Sequence, residues 1–241
     1  MKIEGATALV TGANRGIGKQ FAEELLARGA AKVYAGVRDP ATITDPRLVA
    51  VALDVTDDAR LREVAAELTD VDLVVNNAGA GHFNFALEAD LDNARKEIEV
   101  NYLGIVSMTK AFAPVLAENG GGAIVNMLSV LSWFAAPVLS TYSASKAAAW
   151  LYSNASRVEL KGQGTEVLGV HAGYVDTDLI AEVEAEKLDP RVVAVSAFDA
   201  LEAGESEVAV DERSRQVKAG LSEDQRLIYP GIEEQFAAAA A

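Results

Sequence analysis

The stretch TGANRGIG, residues 11–18, stands between a short apolar run at residues 7–10 and an amphipathic segment that continues to about residue 28. The apolar run is typical of a buried parallel strand, and Phe21, Leu25 and Leu26 supply the apolar side of a helix. Glycines at a strand-to-helix turn let the backbone approach a pyrophosphate, which then lies at the helix N-terminus. The spacing G-x-x-x-G-x-G also fits a plain tight connection, but the strand before it and the helix after it favour a nucleotide site.

The rest of the chain continues this alternation. We predict further strands at residues 32–37, 48–53, 73–75, 123–127, 165–170 and 207–210, and helices at 57–68, 90–118, 141–161, 191–203 and 211–220. Residues 178–189 are acidic and predict a mobile flap or a short helix, and the tail 236–241 carries little information. Alternating strands and helices indicate an α/β fold, and the lack of repeats or linkers indicates one domain over residues 1–241.

Composition argues against several classes of protein. The chain has 241 residues, of which 50% are hydrophobic, so it can bury a large core. A formal net charge of −15 repels phosphate backbones, so we expect no nucleic-acid partner. There is no cysteine, and we expect no metal site. Because we find no apolar run of about 18 residues and no signal-peptide pattern, we expect no membrane association and a cytoplasmic location.

Two arginines favour NADP(H) over NAD(H). The second predicted strand ends at Val37, where dinucleotide folds commonly place an acid that binds a free ribose 2′-hydroxyl. Arg38 follows it, and Arg15 lies in the glycine loop, so either guanidinium could bind a 2′-phosphate instead. Both could also be solvated, and Asp39 keeps NAD(H) open. Asp54, past the third predicted strand, could accept from the adenine amino group or cap the next helix.

Tyr142 and Lys146 lie four residues apart on the predicted helix 141–161 and therefore share a face. A phenol with its ordinary pKa of about 10 transfers protons poorly near neutral pH. A neighbouring ammonium stabilises the phenolate and lowers that pKa toward the working range. Y-x-x-x-K occurs by chance in many helices, so on its own it also fits a solvated pair.

With T-G-x-x-x-G-x-G at residues 11–18, N-N-A-G at 76–79, Asn101, Ser129 and Y-x-x-x-K at 142–146, the chain resembles the short-chain dehydrogenase/reductase family over nearly its whole length. The resemblance implies a Rossmann-type, doubly wound, seven-stranded parallel sheet with helices on both faces. It places NAD(P) across the carboxyl ends of the strands. It also implies a homo-oligomer, either a tetramer or a dimer.

The resemblance implies a role for each matching residue. Tyr142 is expected to be the general acid in carbonyl reduction and the base in alcohol oxidation, with Lys146 lowering its pKa and holding the nicotinamide ribose. Ser129 is expected to hydrogen-bond the substrate oxygen, and Asn101 to hold a water that relays protons from Lys146. The other expected cofactor contacts are Gly12, Asn14, Gly16, Ile17 and Gly18 at the pyrophosphate, Asp54 and Val55 at the adenine, Asn77, Ala78 and Gly79 at the ribose, and Val175 and Thr177 at the carboxamide.

One departure concerns the turn after the sixth predicted strand. Ala172-Gly173 stands where the family usually has P-G, and His171 precedes it. Losing the proline frees the backbone before the flap, so the resemblance defines the substrate fit less well. A histidine at a strand end is more often structural than catalytic, and His171 fits either role.

The expected substrate cleft is mainly apolar and aromatic. Its candidate residues are His82, Phe83, Phe85, Trp133, Phe134, Val138 and Tyr174, some of which could instead belong to the core. We expect no arginine there to bind a carboxylate or phosphate, so the pattern favours a neutral, fairly hydrophobic ketone or aldehyde. The prediction is an NADPH-dependent carbonyl reductase, reversible as an alcohol dehydrogenase. The alternatives are an NAD-dependent alcohol or steroid-type dehydrogenase and a non-catalytic NADP(H)-sensing protein, which the complete Ser129, Tyr142 and Lys146 set disfavours.

Overall fold

Seven parallel strands form one sheet. They are β1 (Thr7–Thr11), β2 (Lys32–Val37), β3 (Val49–Ala52), β4 (Leu73–Asn76), β5 (Gly122–Met127), β6 (Thr165–His171) and β7 (Glu207–Ala209). Their order across the sheet is β3-β2-β1-β4-β5-β6-β7, with Val10 of β1 opposite Ala35 of β2 on one side and Val75 of β4 on the other. The computed structural model describes residues 1–222, so the tail 236–241 lies outside the described residues.

Helices cover both faces of this sheet. They are α1 (Gly16–Ala27), α2 (Asp58–Glu67), α3 (Leu91–Ile98), α4 (Gly104–Glu118), α5 (Ser140–Leu160), α6 (Pro190–Glu202) and α7 (Glu212–Ala219). One face packs against α1 and α6, where the rings of Phe21 and Phe198 meet edge to face at 5.4 Å. The opposite face packs against α2 and α4, which bury Leu61, Val64 and Phe112. The architecture is the predicted doubly wound Rossmann-type fold.

Burial on both faces explains why the strands are apolar along their whole length. All five residues of β1 are buried, and so are all four of β4. A parallel strand in the centre of such a sheet has helices above and below it, so it reads as a continuous apolar run and not as an alternation. Each predicted strand and helix is present, and α1 begins at Gly16, inside the glycine-rich stretch. The other ends lie within one residue of those expected, with one exception.

The exception is the long helix expected at residues 90–118. It consists of α3 and α4 joined by a π-helical turn, Glu99–Leu103. Asn101 lies in this turn, and its side chain bonds the main chain of Ala80 twice, accepting from the amide at 2.8 Å and donating to the carbonyl at 2.7 Å. Such turns occur preferentially at functional sites, and this one brings an amide group to the loop that follows β4.

By length and composition, the continuous helical stretch Leu91–Glu118 could cross a membrane, a criterion that core helices also meet. Here 44% of the relevant window is buried inside the protein. Met108, Phe112 and Leu116 are fully enclosed between the sheet and its neighbouring helices. We therefore assign the stretch to the core.

Strand order places a binding cleft at one edge of the sheet. From β1 the chain proceeds outward to β2 and β3, then returns to lay β4 on the other side of β1. The connections leaving β1 and β4 therefore diverge, and open α/β sheets bind ligands in the crevice between such connections, at the carboxyl ends of the strands.

Candidate active site

A cavity of about 1420 Å³ opens at this crevice. It runs from the glycine loop before α1 to the N-terminal turns of α5. Every residue that the sequence analysis assigned to the cofactor lines it: Gly12, Asn14, Arg15, Gly16, Ile17, Gly18, Arg38, Asp54, Val55, Asn77, Ala78, Gly79, Tyr142, Lys146, Val175 and Thr177. The structure thus brings together, in one cavity, residues spread over more than half of the chain.

The glycine loop and the N-N-A-G turn hold each other in place. Gly12 has a φ of +67°, which favours glycine, and a Cβ on Gly18 would collide with the carbonyl of Gly12 and the side-chain amide of Asn77. The Asn77 side-chain amide donates to the main-chain carbonyl of Thr11 at 2.9 Å. The main-chain amide of Asn77 donates to the Thr11 hydroxyl, also at 2.9 Å. The two motifs therefore form one unit at the adjoining ends of β1 and β4.

The adenosine end of the cavity contains both arginines. Arg38 follows β2, and Arg15 donates to the exposed carboxylate of Asp178 on the flap at 2.7 Å. The Asp39 side chain accepts from the Ala41 amide at 3.0 Å and caps a short turn. This capping contact gives Asp39 a local structural role, and no acidic residue lies in the first turn of α1. The cradle consequently presents backbone amides, a helix N-terminus and guanidinium groups, which fits a pyrophosphate and a further phosphate.

The expected catalytic residues converge at the other end. The hydroxyl groups of Tyr142 and Ser129 are hydrogen-bonded to each other. Lys146 is buried below them, and its Nζ donates to the main-chain carbonyl of Met127 at 2.8 Å. Asn101 lies behind the cavity wall: a Cβ on Gly79 would sit 3.3 Å from its Oδ1 and 3.9 Å from Lys146 Nζ.

Burial shifts the pKa values of Tyr142 and Lys146, which the sequence did not predict. It raises the pKa of Tyr142 to about 12, because the hydrogen bond from Ser129, which lowers the pKa, is outweighed by burial and by the nearby negative charge of Glu97. Burial also lowers the pKa of Lys146 to about 8. The ammonium lies 5.8 Å from the centroid of the Tyr142 ring. The sequence led us to expect that Lys146 lowers the pKa of Tyr142, but in this structure that pKa is raised.

Four of the seven candidate substrate residues line the cavity, namely His82, Phe83, Val138 and Tyr174. Phe85 lies outside the lining, just before a short turn, Ala86–Glu88. Trp133 is also outside it, because the turn that begins at Ser129 carries the indole over the ring of His171, where the two stack at 3.8 Å. Phe134 is buried in the core.

Other parts of the cavity wall were not predicted from the sequence. Arg213, from α7, lines the cavity with its guanidinium 5.2 Å from the centre of the Tyr174 ring, so the expectation of no arginine in the cleft was wrong. The flap contributes Leu179, Ile180 and Val183, apolar residues set among acidic ones. The alternation of apolar and acidic residues in the flap could have predicted these side chains. Arg213 could not have been predicted, because no sequence pattern near it indicates that α7 reaches the cleft.

With this geometry established, comparison with known proteins assigns the family. The family model for short chain dehydrogenases matches residues 6–188, and the chain belongs to that family. Dehydrogenase/reductase SDR family member 7B from Rattus norvegicus is 32% identical over 195 residues, which cover 73% of this chain and only 60% of the rat protein.

Two solved structures show the same fold. A short-chain dehydrogenase from Burkholderia cenocepacia, in complex with NADP, is 39% identical with a TM-score of 0.92 over 96% of this chain and 99% of that one. A 3-ketoacyl-(acyl-carrier-protein) reductase from Brucella melitensis, complexed with NADH, is 27% identical with a TM-score of 0.80 over 88% of this chain and 99% of that one. Both of those proteins were solved with a nicotinamide cofactor, and this chain shares their fold.

Proposed function

We propose that the protein is an NADP(H)-dependent carbonyl reductase that also oxidises alcohols. The observation that carries the proposal is the hydrogen-bonded pair of hydroxyls, Ser129 and Tyr142, at the wall of a cavity whose far end holds the glycine loop and two arginines. Arg15 and Arg38 support a 2′-phosphate, as does the similarity to a relative solved with NADP. The alternative, NAD(H), is favoured by the relative solved with NADH.

The nicotinamide group would exchange a hydride with the carbonyl carbon, and the residues of this chain supply the rest. With a pKa of about 12, Tyr142 is a neutral phenol near pH 7 and can donate its proton to the carbonyl oxygen. The Ser129 hydroxyl can donate to the same oxygen and stabilise the negative charge that develops on it. Lys146, beneath both, can hold ribose hydroxyls and, through Asn101, pass protons.

The substrate end supports a hydrophobic carbonyl compound. Phe83, Val138, Leu139 and Leu179 line it, together with His82 as a polar residue. Arg213 supports a second possibility, a carbonyl compound with an anionic group distant from the reacting carbon. Reduction rates for matched pairs of ketones with and without a carboxylate separate the two, because only an anionic substrate should lose affinity in Arg213→Leu.

Replacement of Tyr142 by Phe tests the chemistry. The variant should lose turnover and keep its affinity for NADPH, measured by fluorescence titration. Tyr152→Phe is the matched control, since Tyr152 is on the same helix, packs on the ring of Tyr102 and lies outside the cavity. Retained turnover in Tyr142→Phe would refute the proposal. Tight NADPH binding by the unaltered protein without turnover on a broad carbonyl panel would instead favour a cofactor-sensing role.

By resemblance to the family, we further propose that the enzyme is a cytoplasmic homo-oligomer, a dimer or a tetramer. Sedimentation of the purified chain measures the oligomeric state directly.

A further inference from the structure

The imidazole of His171 is fully buried between two hydrogen-bond acceptors. Its Nδ1 lies 2.9 Å from the main-chain carbonyl oxygen of Ser129, and its Nε2 lies 3.1 Å from Oε1 of Glu207. A carbonyl oxygen can only accept. Glu207 is ionised: burial raises its pKa, but hydrogen bonds from His171, Lys218 and Trp150 outweigh burial and hold the pKa at about 2. Only an imidazolium, which carries a proton on each nitrogen, can donate to both acceptors.

The contacts around this ring come from several elements. Trp133 stacks on it with the ring planes 15° apart. Glu207 is held from two further helices: Trp150 Nε1 of α5 donates to its Oε1 at 2.7 Å, and Lys218 Nζ of α7 lies 2.7 Å from its Oε2. Arg157 of α5 adds a second positive charge near this carboxylate. A single carboxylate thus joins the end of β6, the helix that carries Tyr142, and α7.

We propose that His171, as an imidazolium, is a positioning residue that fixes Ser129 for catalysis. Its bond to the Ser129 carbonyl anchors the residue whose hydroxyl meets Tyr142, and the adjacent bond from the Val130 amide to the Ala172 carbonyl, at 3.0 Å, secures the same turn. The turn lacks the proline that the family resemblance led us to expect at Ala172. A buried, charge-assisted hydrogen bond restrains it instead.

A double-mutant cycle tests this role; the kinetic test rests on the proposed carbonyl reductase activity. His171→Phe keeps a flat ring against Trp133 and removes both donors. It should lower kcat about tenfold or more while leaving the Kd for NADPH unchanged. In a Ser129→Ala background the same change should cost nothing further, because His171 acts through Ser129. An equal loss in both backgrounds would indicate a purely structural residue and overturn the proposal.

His171→Gln provides the rescue, since one side-chain amide can still donate to the Ser129 carbonyl. It should recover most of the turnover lost in His171→Phe. If Gln is no better than Phe although both variants fold, the hydrogen bond to Ser129 is not the reason for the loss, and the proposal fails.

Nitrogen NMR provides a readout that needs no substrate. The chain has 2 histidines, so ¹⁵N labelling of the imidazoles gives two spin systems, and His82→Gln assigns them. Both ring nitrogens of His171 should show the shift of a protonated nitrogen at neutral pH. In Glu207→Gln, which removes the facing charge, Nε2 should lose its proton. An unprotonated ring nitrogen of His171 in the unaltered protein would overturn the proposal that this residue is an imidazolium. A lack of turnover on every carbonyl compound tested would refute the proposed function but leave the NMR result intact.

Discussion

Lys146 Nζ donates to the main-chain carbonyl of Met127 at 2.8 Å, which ties the ammonium to the end of β5 and leaves it 5.8 Å from the centroid of the Tyr142 ring. The lysine is almost completely buried, and burial lowers its pKa to about 8. In this structure Lys146 and Tyr142 therefore titrate in different pH ranges. The lysine loses its charge near pH 8, and the tyrosine its proton only near pH 12.

The first prediction concerns pH. Because the cationic form of Lys146 exists below its pKa, kcat/KM for NADPH, which reports ionisations of the free enzyme, should be constant below about pH 8 and fall as the pH rises through that value. Lys146→Arg keeps its charge throughout, so the kcat/KM that this variant retains should show no such fall. A wild-type profile that stays level up to pH 10 would contradict the assignment.

Glu97 gives a second prediction, for the oxidative direction. Its carboxylate is buried, accepts from the His82 amide at 2.7 Å, and raises the pKa of Tyr142 by its charge. Alcohol oxidation requires the phenolate, so Glu97→Gln should lower that pKa and move the acid limb of the oxidation profile to lower pH. Glu88→Gln, the same change at an exposed position, should leave the limb in place. An unmoved limb in Glu97→Gln would show that its charge does not reach the phenol.

The sequence predicted best what depends on local pattern. The apolar run of β1, the glycines after it and the four-residue spacing of Tyr142 and Lys146 are all encoded within single elements, and each lies where it was expected. The order of the motifs along the chain then implied the sheet, because a doubly wound fold assigns each strand end a fixed neighbour.

What could not be predicted depends on contacts between distant segments. The partner of His171 is Glu207, which belongs to the neighbouring strand β7, and Arg213 reaches the cleft only because α7 follows that strand. Trp133 was assigned to the substrate cleft together with Phe134 and Val138, but one short turn directs its side chain onto the ring of His171. The tyrosine pKa depends on burial, which spacing along a helix does not report.

A third prediction concerns cofactor choice. Arg38→Asp places an acid beside the expected 2′-phosphate, so kcat/KM should fall for NADPH by about tenfold or more and rise for NADH. The control is Arg62→Asp, which makes the same charge change on an exposed residue of α2 outside the cavity. If both variants lose NADPH activity equally, the effect is one of overall charge and Arg38 has no specific contact.

The last prediction concerns the helix that carries the catalytic tyrosine. Asn76 of β4 donates to the side chain of Asn126 of β5 at 2.8 Å, and Asn126 donates in turn to the hydroxyl of Ser153 on α5 at 2.8 Å. These two buried hydrogen bonds connect α5 to the centre of the sheet. Ser153→Ala leaves the fully buried Asn126 amide without that acceptor, which should cost about 1–3 kcal/mol in the free energy of unfolding, measured with urea. Ser156→Ala is the matched control. The Ser156 hydroxyl is buried on the same helix and, within residues 1–222, donates to a carbonyl of that helix alone, so its loss should cost clearly less. Equal losses in the two variants would mean that the tie to the sheet contributes nothing beyond the burial of a serine.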